Sequence, residues 1–192
     1  MPLRRTTPVA LTVLAAVSTA LAPAAAARAA APEVLTCSVN ASVAFAPPLS
    51  AAGPATTVTI GGTASGCSDS RTGQSAVVGG TVTATLAFGA LSCNPLIPAT
   101  LKPGASAYFT WNLKDGSQTT STVGALALTE VDGVGTLTGT VTPTSPRLAG
   151  EHLTTILNIT SVQPLTDNCI DVLAGTGAPI SNSTLAGQIS FG

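Results

Sequence analysis

Charge and aromatic rings are what this chain has least of: Asp, Glu, Lys and Arg make up 8% of its 192 residues, and Phe, Trp and Tyr 3%. A nucleic-acid binder needs a basic face that displaces counterions from phosphates. Beyond Ala29 the chain keeps only Arg71, Lys102, Lys114 and Arg147 as cations against eight acids, a net charge of −4. Neither a nucleic acid nor a polybasic membrane contact fits that balance. His152 is the one histidine and no C-x-x-C occurs, so a zinc site lacks its ligands. No G-x-S-x-G elbow surrounds any serine, and Glu151-His152 reads as a solvated junction between a loop and a strand. Glu130, Asp132 and Asp171 read as turn and strand-end acids rather than a glycosidase pair. Asp167, Asn168 and Asp171 flank Cys169, but three oxygen donors fall short of a Ca²⁺ shell and read as an Asx-turn. The sequence therefore assigns no catalytic residue, no metal and no cofactor, and the expectation is a non-enzyme. Sugar binding relies on exposed rings, and only Tyr108 is a candidate, since Trp111 belongs in a core.

What the chain does have begins with a leader. Arg4 and Arg5, an apolar run from Val9 to Leu21 and an alanine-rich end over Met1–Ala29 form a secretory signal, and the run is too short for a membrane anchor. Residues 30–192 are expected as a single secreted domain with no membrane insertion after cleavage. Cys37, Cys67, Cys93 and Cys169 all follow the leader, and an even count in an exported chain reads as two disulfides. Three pairings are possible, and chain order favours Cys37 with Cys67 and Cys93 with Cys169.

The stretch Ala107–Val141 reads as three antiparallel strands joined by Asp115-Gly116 and Asp132-Gly133, pairs that tolerate the positive φ of tight hairpins. Phe109, Trp111 and Leu113 alternate with polar residues, which puts Trp111 in the core. Leu35–Phe45 opens the fold and Pro47-Pro48 stops it. Thr57–Ile60 follow, with Val58 and Ile60 inward, and Gly61–Gln74 reads as a loop carrying Cys67. Val82, Ala84, Leu86 and Phe88 alternate with Thr81, Thr83, Thr85 and Ala87. Pro95, Pro98 and Pro103 enforce an extended crossover where the sheet is expected to change. A strand over Leu153–Val162 uses Leu157 and Ile159 as a core pair, and a last strand turns Leu185, Ile189 and Phe191 inward. No helical periodicity is read after the leader. About nine strands at this spacing predict an all-β, Ig-like antiparallel sandwich. The threonine rows at 81, 83 and 85 and at 136, 138, 140 and 142 read as a solvated strand face.

Trp111 with Asp115-Gly116-Ser117, the strand Gly135-x-Leu137-x-Gly139-x-Val141, the loop through Ala149-Gly150 and the late Cys169 resemble uncharacterised secreted β-sandwich proteins of actinobacteria. The resemblance implies an extracellular compartment and a fold, and no activity. The expected function is binding to another secreted or surface protein, as an adaptor or accessory subunit of an extracellular assembly such as an umbrella toxin particle. An extended partner strand would add to a sheet edge, or Ala30–Leu35 would be donated to a partner. The alternative is a cell-envelope or carbohydrate-binding surface protein.

Overall fold

The computed structural model describes residues 34–94, 96, 97, 99–131, 134–157 and 159–192. The expected leader, Pro95 and Pro98, the Asp132-Gly133 turn and Asn158 lie outside them. In chain order the elements are β1 (Leu35–Leu49), β2 (Thr56–Asp69), β3 (Val77–Phe88), β4 (Ser106–Leu113), β5 (Gln118–Val131), β6 (Val134–Val141), β7 (His152–Leu157), α1 (Ile159–Ala174) and β8 (Ile180–Phe191).

The all-β class holds, but the Ig-like sandwich does not form. Each strand pairs antiparallel with its sequence neighbour, and β8 also pairs with β1 from Leu35↔Phe191 to Ala44↔Asn182, closing a barrel of eight strands. A sandwich keeps two sheets with edges; here the last strand occupies the edge that the first would have left open. The connection over residues 89–105 joins the adjacent strands β3 and β4, so no sheet change occurs there.

Closure needs strands that coil strongly, and β-bulges supply the local twist. The β1–β2 register shifts between Thr36 and Ser38, β3–β4 between Val77 and Gly79, and β5–β6 between Gly124 and Ala127. In β2 the even positions Thr56, Val58, Ile60 and Ala64 turn inward; Gly66, at φ +57°, then inserts an extra residue, so the odd positions Cys67 and Asp69 face in. The expected Gly/Ser loop is thus mostly a bulged strand, and its glycine delivers a cysteine and a carboxylate to the interior. β1 likewise runs through Pro47-Pro48 to Leu49, past the expected stop. Its pairing with β8 is interrupted between Ala44 and Leu49, where no ladder N–H is required of the prolines.

The bulge in β5 carries a cost elsewhere. Ala125 and Leu126 together oppose Gly139, and a Cβ built on Gly139 would lie 2.6 Å from Val123 Cγ1 and 2.7 Å from Leu126 Cδ2. Gly139→Ala is expected to destabilise the protein by about 1–3 kcal/mol through overpacking, read as a lower urea midpoint with unchanged slope. A variant as stable as the parent would show that the bulge can relax.

The largest fully buried side chains, Trp111, Phe191, Leu35 and Leu153, gather at the end of the barrel where β1 begins. Trp111 is fully buried as expected; its ring stacks on Phe109 with centroids 5.0 Å apart, and Phe191 meets both edge-on at 5.4 and 5.6 Å. Trp111 Nε1 donates to Ser121 Oγ at 2.9 Å, and that hydroxyl donates to the Arg147 carbonyl at 2.8 Å, so the buried polar atoms are satisfied in series. At the opposite end lies α1, where the sequence had suggested a strand continuing to Val162. Leu165, Cys169 and Val172 recur at helical spacing and pack partly buried against the core. Gly175, at φ +73°, terminates the helix, while Thr176 N–H and Gly177 N–H donate to the Asp171 carbonyl. Asp167, Asn168 and Asp171 therefore sit on a helix, not in an Asx-turn.

Both disulfides form in the pairing that chain order favoured. Cys37–Cys67 links β1 to β2 near the end filled by the aromatic cluster, the closed end, and Cys93–Cys169 ties α1 to the β3–β4 connection. Two disulfides fit an oxidising, extracellular type of compartment. Among the described residues no helix is long and apolar enough to cross a membrane, which says nothing about barrels.

Candidate functional site

Alternation fixes what the barrel encloses. Along β3, Val82, Ala84, Leu86 and Phe88 are buried while Thr81, Thr83, Thr85 and Ala87 are exposed, and the other strands repeat that sense. Around the middle of the barrel the inward face is almost wholly apolar, and there it is built from small side chains. Ala84 lies opposite Ala107 in the register, between Ile60 on one side and Val123 on the other; Ala41 and Gly187 add to the gap. Small residues facing one another across a barrel leave space that the larger ones cannot reach. The result is an internal cavity of about 290 Å³.

Phe109 stands at its floor, against the aromatic cluster, and Val43, Phe45, Leu86, Phe88, Leu137 and Ile189 form much of its wall. Two residues outside the barrel complete it: Leu91 from the β3–β4 connection and Leu165 from α1. The Cys93–Cys169 bond therefore joins the two segments that roof the cavity. Leu128, also on the wall, is 39% exposed, which marks a connection to solvent. No charged side chain lines this space among the described residues, and Thr155 is its one polar side chain. Interiors rarely keep voids much larger than a water molecule. An apolar void of about half this size is dry and holds a benzene-sized guest.

The closed end is the opposite in character. Asp69, whose side chain is fully buried, accepts from Arg71 Nε at 2.7 Å and Nη2 at 2.7 Å, from Val77 N–H at 3.0 Å and from Arg147 Nη2 at 3.2 Å. Arg147 also donates to the Ser75 carbonyl at 2.8 Å and to Gln74 Oε1, and Arg71 reaches Glu151 Oε1 at 3.4 Å. Burial pushes the Asp69 carboxyl up, but the hydrogen bonds from Arg71 and Val77 and the Arg71 charge outweigh it and hold the group well below the usual carboxylate range. These contacts hold the two arginines on Asp69, Gln74, Ser75 and Glu151, none of which lines the cavity.

The remaining sequence candidates fall outside both features. His152 is exposed at the start of β7, with Nδ1 3.2 Å from Thr140 Oγ1. Tyr108 is 57% exposed on the outer wall, in a shallow groove with Ser42, Thr59, Thr83, Thr85, Ser106 and Asn182, and is the one ring there. Glu130's side chain and Asp132 lie outside the described residues. The four cysteines serve the fold, and only Cys93 and Cys169 border the cavity through the segments they join. Sequence reasoning missed the cavity and its roof. The helical recurrence of Leu165, Cys169 and Val172 was the available signal for α1, whereas nothing in the alternation distinguishes a hollow barrel from a filled one. No protein-family model, curated protein or solved structure matches the chain.

Proposed function

We propose that the protein is a non-catalytic binding protein that carries a small apolar molecule inside the barrel. The observation that carries this reading is the internal void, with its apolar wall, disulfide-tethered roof and exposed Leu128 at its margin. Burying an apolar guest there gains roughly 25 cal/mol per Å² of surface removed from water, and the preformed wall needs little reorganisation to receive it. The two ends divide the work: buried ion pairs fix the floor, while the roof rests on few apolar contacts.

The test is titration with N-phenyl-1-naphthylamine, an uncharged dye that brightens in apolar surroundings. The expected result is saturable binding at one dye per protein. Ala84→Leu combined with Ala107→Leu fills the void from two adjacent strands, and should weaken binding by at least about tenfold while the melting temperature holds or rises. A folded double variant that binds the dye as well as the parent sinks the reading.

A second reading keeps the protein partner expected from the sequence, but moves its contact. With the barrel closed, strand addition at a sheet edge has no free edge to use. The exposed apolar side chains Ile170 and Leu173 of α1 offer a different surface, on the same helix as Cys169. In that role the protein would serve as an adaptor whose docking helix also covers the cavity. Co-purification of a secreted partner, lost in Ile170→Ser, distinguishes this reading from a free carrier.

A further inference from the structure

The cavity's chemistry narrows its guest. A carboxylate or ammonium buried without a partner loses several kcal/mol of hydration, so a charged ligand needs an opposite charge on the wall. Among the described residues none stands there. Arg71 and Arg147 are held at the closed end by Asp69, and Lys102 and Lys114 are exposed on the outside.

One polar group remains. Thr155 lies on β7 between Leu137 and Ile189 in the register, with Leu153 buried on the same face and Ile156 exposed on the other. It lines the cavity and is partly buried, and no hydrogen bond from its hydroxyl is found among the described residues, whereas the buried hydroxyl of Ser121 is satisfied on both sides. A hydroxyl facing an apolar space is undersupplied unless something in that space pairs with it. We infer that the cavity takes an uncharged, predominantly hydrocarbon molecule carrying a single oxygen function, an alcohol or a carbonyl, and that Thr155 is the residue that recognises that oxygen. This inference rests on the carrier reading above. Thr155 positions the guest along the barrel, and the surrounding aliphatic side chains supply most of the affinity.

Displacement of the naphthylamine dye by decane, 1-decanol and decanoate at pH 8 tests the class, and Thr155→Val tests the residue, because valine keeps the shape and removes the hydroxyl. The expected order is 1-decanol tightest, decane about three- to tenfold weaker, and decanoate weakest. Thr155→Val should bring 1-decanol to the affinity of decane and leave decane and the dye unchanged. Equal binding of 1-decanol by the parent and Thr155→Val, or a preference for decanoate, overturns the inference while dye binding leaves the carrier reading standing. Failure of the dye and all three ligands to bind overturns both.

Discussion

Asp69→Asn is expected to cost about 3–5 kcal/mol of stability, the usual penalty for removing one partner from a buried ion pair. The asparagine keeps the shape of the side chain but withdraws the charge that Arg71 and Arg147 share, and turns an amide N–H₂ toward groups that are themselves donors. Two guanidinium groups, 7% and 6% exposed, then lose the carboxylate that they share. Urea unfolding at pH 7 measures the loss. The pH dependence gives a second handle. Because folding lowers the Asp69 pKa, its contribution is fully present above the ordinary value of 3.8 and is lost as pH falls through the folded value. The gap between parent and Asp69→Asn should therefore be constant from pH 7 to about 5 and shrink on further acidification. A gap that stays constant into strong acid would mean that the stability comes from packing around the side chain and not from its charge.

The sequence made the closed end partly visible and the network within it invisible. Trp111 could be placed in the core because apolar and polar residues alternate around it and Asp115-Gly116 closes its hairpin, with Gly116 at φ +86°. Alternation is local, and so survives without knowledge of the fold. Arg147 and Asp69 gave no such sign. Arg147 lies in a loop, and Asp69 reaches the interior only because Gly66 shifts the parity of β2, a bulge that a Gly/Ser-rich stretch does not distinguish from an ordinary loop. The barrel itself was illegible for a related reason. Its closure depends on Leu35 meeting Phe191 across the whole length of the domain, and the same strand pattern serves a sandwich equally well until that pairing is known. Thr155 carries no sign of its place in the sequence, where threonines recur on every strand and the expected strand to Val162 takes Leu157 and Ile159 as its core pair. The strand instead ends at Leu157 and a helix starts at Ile159, so the second member of that pair belongs to α1.

The roof joins stability to access, and removing its tether should change both. In the chain-entropy description, the Cys93–Cys169 bond, with a sequence separation of 76 residues, contributes up to about 4.5 kcal/mol by restricting the unfolded chain. Cys37–Cys67, with a separation of 30, contributes up to about 3.6 kcal/mol on the same basis. The energies are similar, but the locations differ. Cys37–Cys67 staples neighbouring strands that already share a long ladder, whereas α1 meets the core through the partly buried Leu165, Cys169 and Val172. With so few apolar contacts, α1 belongs to the low-stability part of the structure once its tether is gone. Cys93→Ser with Cys169→Ser is therefore expected to lower the melting temperature by roughly 10–15 °C and to speed dye release by about tenfold or more, measured by stopped-flow displacement. Cys37→Ser with Cys67→Ser should lower the melting temperature by a comparable amount and leave the release rate within about twofold of the parent. Equal release rates in the two variants would remove α1 from the path and place access at the barrel wall beside Leu128. Faster release only where the roof is untethered would establish that the same disulfide that holds the fold together also sets how long a guest stays.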